Sequence, residues 1–257
     1  LLLPKNLSAQ SLIVSQEDSS WVYRVKQIQQ FLTRFNYQEN ARGMRLQFVD
    51  DIERRKALAS LFSHEYVNKS EKAKLIAFVD EVVKKNISIS QMDSDWYAVV
   101  NCDGKYKNKE VKLDLTLQMQ SNQDSSAQWM IVGARAEEFL RLNKTKKKAY
   151  LLGNAHELNF MRLFIELKDP HQISNFISPK TKQDHLSILS WMIDKGDLVL
   201  NQAKGITFHF FQVPGWVFSV KEFNRKSYNS GWLIFNLEAA RTEEKSNILS
   251  ERLGINL

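Results

Sequence analysis

One strand-like stretch occurs twice in this chain, and any fold it adopts has to accommodate both copies. Residues 128–137 read QWMIVGARAE and residues 230–241 read SGWLIFNLEAAR. Their tryptophans, Trp129 and Trp232, stand 103 residues apart (232 − 129). Each closes a run of hairpin-like segments that follows three helix-like segments, so the sequence reads as one α+β unit written twice. A chain of 257 residues suits two ordinary domains. The loops differ in length between the copies, as in a diverged duplication and not in a short-period solenoid.

In the first copy, Trp21, Val25, Ile28, Leu32 and Phe35 recur at three- and four-residue steps and predict a helix over residues 19–36. The carboxylates of Asp50 and Asp51 suit the amides that open a second helix, with Ile52, Leu58, Leu61 and Phe62 facing inward. A third helix over 70–85 ends on Lys84, Lys85 and Asn86: cations at the negative end, then a residue that tolerates a left-handed backbone. Strands are expected at 87–91, 96–101, 110–120 and from Trp129. The third of these alternates strictly. Val111, Leu113, Leu115, Leu117 and Met119 share one face, and Lys112, Asp114, Thr116, Gln118 and Gln120 share the other.

The second copy repeats the order. Asn154 and Glu157 form a capping-box pattern ahead of a helix, and Asp169-Pro170 opens another whose QISNFISP parallels KALASLFSH of the first copy. A further helix runs through HLSILSWMIDK and stops at Lys195-Gly196, with the chemistry of Lys85-Asn86. Four strands are expected, at 197–202, 206–213, 216–223 and 232–237, with Pro214-Gly215 as a tight turn. Here ITFHFFQV and WLIFNL carry large apolar groups on both faces. That predicts a covered outer face, with Phe211, Leu233, Phe235 and Leu237 as interface residues.

The resulting division is an N-terminal arm over 1–17, a first domain over 18–136, a basic connector over 137–153, a second domain over 154–241 and a C-terminal tail with helical character over 242–257. Three helices packed into a curved antiparallel sheet and ending on a Trp-led strand resemble the nuclear-transport-factor-like superfamily, also called cystatin-like α+β cones. DPHQISNFISP, WMIVGARA and WLIFNLEAA carry the likeness. The resemblance implies two cone-like units, each with about four strands and a cavity between sheet and helices. Members of that superfamily include isomerases and dehydratases, small-ligand binders and proteins that only mediate association, so fold alone does not assign function.

Within such cones, Tyr97, His209, Trp216 and Asn236 are the side chains expected to reach a cavity. His209 alternates with Phe208 and Phe210 and so points away from them, which favours a packed or interfacial imidazole over a general base. His64-Glu65 and His156-Glu157 are adjacent pairs that diverge by about 100° on a helix, and no zinc or phosphate-loop motif is present. No catalytic residue, metal or cofactor is assigned. The single cysteine, Cys102, excludes an internal disulfide. Net charge is +7 with a knot at Lys144, Lys146, Lys147 and Lys148. A solvated charge run accounts for it, so nucleic acid is not the expected partner.

Residues 1–10, LLLPKNLSAQ, read as the end of a signal-peptide core, a polar exit and a small-residue cleavage region, which predicts a periplasmic or secreted protein; a cytoplasmic N-terminal arm is the alternative. No apolar run is long enough to span a bilayer. The functional expectation is an exported, non-enzymatic binding or assembly protein whose partner is another protein or a second copy. The alternative is a small-molecule binder, or an isomerase- or dehydratase-like enzyme, using one cone.

Overall fold

A computed structural model describes residues 28–39, 50–69, 72–121, 127–136, 168, 176–178, 185–226 and 229–255. Residues 1–10, expected to be the end of an export signal, the connector and its lysine knot, and the two helices expected to open the second copy, apart from residues 168 and 176–178, lie outside the described residues. Within them the fold is α+β. Six helices are described: α1 (Ile28–Phe35), α2 (Asp51–Ser60), α3 (His64–Lys69), α4 (Lys72–Lys84), α5 (His185–Asp194) and α6 (Thr242–Asn247), which continues as a π-helical turn over Ile248–Arg252. Six strands are described: β1 (Trp96–Tyr106), β2 (Lys109–Ser121), β3 (Ala127–Arg135), β4 (Leu198–Phe210), β5 (Trp216–Phe223) and β6 (Gly231–Ala239).

Local chemistry sets most of these boundaries. Asp50 caps α2 by accepting the amides of Ile52 (2.8 Å) and Glu53. Two helices end alike. Asn86 (φ 48°) donates its amide to Val83 and Gly196 (φ 72°) donates to Ile193, the left-handed stop expected for both copies. The β1–β2 turn uses Lys107 and Asn108, both at positive φ, as a two-residue hairpin requires.

The strand count differs from expectation. Residues 87–90 form no strand, and β4 runs unbroken from Leu198 to Phe210, across the gap between the segments expected at 197–202 and 206–213. Gly205 falls in the gap between those two segments. It lies opposite Asn101 in the β1–β4 ladder, and bulges just beyond it absorb the irregularity. Each half of the chain therefore supplies three strands, not about four. Ile52, expected inward, is 51% exposed, while Arg54, Ala57 and Leu58 are buried.

The chain gathers into two compact units, and neither is a continuous stretch. One comprises Leu1–Gln91 with Gln212–Ala239, the other Met92–Phe211 with Ala240–Leu257. In the first, α1, α3 and β6 are in contact and α2 packs on α4. Its core is aromatic: Phe218 of β5 stacks on Phe35 at 5.5 Å and meets Phe78 edge-on at 5.7 Å. In the second, β3-β2-β1-β4 form an antiparallel run covered by α5, whose Leu186, Leu189, Met192 and Ile193 are buried. Trp96 is its centre, stacked on Phe210 at 5.4 Å and edge-on to Trp129 at 5.0 Å.

This division differs from 18–136 and 154–241 in a specific way. Segments LFS (61–63) and FIS (176–178) occupy matching places in the two copies. Phe62 forms a parallel bridge with Ile234, Ser63 donates its amide to the Ile234 carbonyl (2.8 Å), and Ile234 donates to Leu61 (2.8 Å). Ile177 forms the same bridge with Ile131, and Ser178 donates to the Ile131 carbonyl (2.9 Å). A sequential arrangement would join 61–63 to β3 and 176–178 to β6. Here each unit combines a helical segment from one half of the chain with a hairpin from the other.

Candidate functional site

Two of the four expected site residues come together. Tyr97 of β1 lies directly opposite His209 of β4, while Trp96, Ala98, Phe208 and Phe210 occupy the reverse face in the aromatic core. Strand alternation alone dictates this separation. The phenol of Tyr97 receives Gln118 Nε2 at 3.4 Å, and its ring meets Phe211 edge-on at 5.5 Å. Gln118 also donates to the Ser94 carbonyl at 2.7 Å, which ties β2 to the turn before β1. Tyr97 is buried, and burial, reinforced by Asp95 and Asp93, pushes its phenol up to about 12. The Tyr97 phenol therefore keeps its proton at neutral pH, and His209 beside it is half-buried.

Phe211, expected at an interface, is buried in this cluster. Its amide donates to the Asp95 carbonyl, and its carbonyl receives Lys245 Nζ at 2.6 Å. Burial lowers the Lys245 ammonium from its ordinary range, partly offset by Asp95. The C-terminal segment also crosses the β2–β3 hairpin. Thr116 Oγ1 donates to the Leu253 carbonyl at 2.6 Å, and Arg135 donates to the Arg252 carbonyl at 2.8 Å. A Cβ on Gly133 would lie 2.7 Å from the Leu253 oxygen. Gly133, an interruption in an otherwise apolar strand, was the readable signal of this approach. Gln118 and Lys245 carried no such signal, because their roles depend on register and on a distant segment.

The other expected residues do not converge. Trp216 shares the helix-facing side of β5–β6 with Phe218, and its Nε1 donates to Glu81 Oε2 at 2.7 Å. Hydrogen bonds from Lys85 and Trp216 hold the Glu81 carboxyl below its ordinary value of 4.5. Asn236 lies on the opposite face, where its amide donates to Glu238 at 2.6 Å. Leu237 pairs with Phe218 and belongs to the core, not to the outer set. The Phe235 bulge explains the error: one extra residue puts Leu233 and Leu237 on opposite faces.

Phe223 and Phe235 remain half-buried on that outer face, with the Lys221 ammonium 5.0 Å from one ring centre and 4.6 Å from the other. Arg225 sits 4.3 Å over Phe223 and is bound by both carboxylate oxygens of Glu65 and by Asn229. Asn229 in turn accepts the His64 amide and donates to the Phe62 carbonyl, fixing the β5–β6 loop to the start of α3. Among the described residues, no cluster of three or more His, Cys, Asp and Glu is placed to hold a metal ion, and no helix is long and apolar enough to cross a membrane. Cys102 is buried, and burial pushes its thiol well above the usual range. No family model, curated protein or solved structure matches this chain.

Proposed function

We propose that this chain is a binding or assembly protein that meets a protein partner, in the first instance a second copy, through the outer face of β5–β6. The observation that carries the reading is the pairing of half-exposed Phe223 and Phe235 with Lys221 and Arg225. Aromatic rings bridged by cations offer contact area with little conformational freedom left to lose. Trp216 and Asn236 are engaged by neighbouring carboxylates, and Tyr97 stays protonated, so these groups suit positioning better than proton transfer.

Sedimentation velocity of the full chain over a micromolar range tests this. The expected result is a reversible larger species that Phe235→Asp abolishes while the variant still unfolds in one cooperative transition. A chain that stays monomeric throughout, with identical behaviour in the variant, would remove the reading. Tyr97 beside His209 favours one second reading, a small-molecule site. A ligand that raises the thermal midpoint of the native chain, but not of Tyr97→Phe, would support it.

A further inference from the structure

The matched bridges have a consequence for how the chain is held together. Residues 61–63 close on Ile234 and residues 176–178 close on Ile131, with the same amide-to-carbonyl bond from Ser63 and Ser178. β1 of the first half forms an eleven-pair ladder with β4 of the second. The helices of residues 28–84 share one unit with β5 and β6, and α5 shares the other with β1, β2 and β3. The helices of the first half thus lie against a hairpin of the second, while α5 packs on β3 of the first half as well as on β4 of its own.

We propose that the two halves of the chain are a mutually completing pair, so that the molecule is the covalently joined form of an exchanged dimer and the connector is dispensable for their association. The interaction surface is the helix-to-hairpin bridge at Ile131 and Ile234 together with the β1–β4 ladder. The partner each surface takes is the other half of the same chain. The inference is independent of the proposed binding face. Local duplication of sequence makes this arrangement accessible, since each hairpin offers the same register to either helical segment.

The test uses the full chain carrying a site-specific protease sequence between Asn143 and Lys144, cut to completion under native conditions. The two fragments are expected to co-elute in equal amounts. The thermal midpoint of the cut protein, unlike that of the intact chain, is expected to rise with concentration, because unfolding now releases two pieces. Fragments that separate on the column overturn the proposal. A cysteine pair identifies the pairing itself. Gln120 Nε2 lies 3.0 Å from Ser178 Oγ, so a short bismaleimide, which spans the length of the replaced Gln side chain, is expected to join the fragments through Q120C and S178C. The position matching Gln120 in β5–β6 is Phe223. Cross-linking through F223C with S178C, or through neither pair, overturns the exchange. The buried native Cys102 does not compete.

Discussion

The hairpins β2–β3 and β5–β6 share a register and differ in what lies on their outer faces. Thr116 opposite Gly133 matches Ser219 opposite Asn236, Leu117 opposite Ile131 matches Val220 opposite Ile234, and the bulge falls on Val132 in one and Phe235 in the other. The inner faces do the same work with different side chains, Leu115 and Leu117 in one and Phe218 and Val220 in the other. The outer faces diverge. Gly133 admits the backbone of Leu253 and Gly254, and Val132 is buried. Asn236 at the matching place carries a side chain bonded to Glu238, and Phe235 stays half-buried beneath Lys221. Register has been kept where both faces of a bulged hairpin depend on it, while a single glycine-to-asparagine difference separates a backbone-covered face from a side-chain-covered one.

The comparison can be broken most forcefully at the shared inner position. Phe218→Ala removes a ring that meets Phe31, Phe35 and Phe78 and is expected to cost about 3–5 kcal/mol in denaturant unfolding. Leu115→Ala at the matching position is expected to cost about 2–5 kcal/mol. Gly133→Ala comes next. Its Cβ meets backbone atoms of Leu253 and Gly254, so a loss of about 1–3 kcal/mol is expected. Asn236→Ala, at the matching half-buried site, should stay within about 0.5 kcal/mol beyond the loss of one hydrogen bond. Thr116→Val strands the Leu253 carbonyl and should cost about 1–2 kcal/mol. Equal effects of the Gly133 and Asn236 substitutions would show that the outer faces do not differ as described.

Acid titration offers a gentler probe of the first unit. The Glu81 carboxyl is lowered in the folded state, so the unfolded chain binds its proton first. Its contribution is present above about pH 4.5 and is lost as pH falls through the lower folded value. Glu81→Gln is expected to flatten the pH dependence of stability in that window and leave the neutral-pH slope unchanged. A small effect is likewise expected for Lys221→Ala, about 0.5–1 kcal/mol from the two ring contacts.

Much of the fold was readable because it is local. The Asp50 cap, the left-handed stops at Asn86 and Gly196 and the alternation of Val111 to Met119 are each decided within a few residues. The repeated Trp strands, too, sit at matched register positions. Three features were not local. The Phe235 bulge depends on the β5 partner, and missing it placed Leu237 on the wrong face. The continuity of β4 depends on its pairing with β1, against which β4 bulges at Lys204 and Asn201. The pairing of residues 61–63 with β6 and of 176–178 with β3 could not be read from sequence, because LFS and FIS are alike and each bridges an isoleucine at the matching place of its hairpin. Of the candidate site, the pairing of Tyr97 with His209 needed the β1–β4 register, and Lys245 and Gln118 needed the tertiary fold.

Nuclear Overhauser contacts between isoleucine methyl groups of the intact chain test the exchanged arrangement most directly. Ile131, Ile177 and Ile234 distinguish the two pairings without any substitution. The account predicts a contact between the methyl groups of Ile131 and Ile177 and none between Ile177 and Ile234. A contact between Ile177 and Ile234, without one between Ile177 and Ile131, would mean that each half folds on its own hairpin and would contradict it.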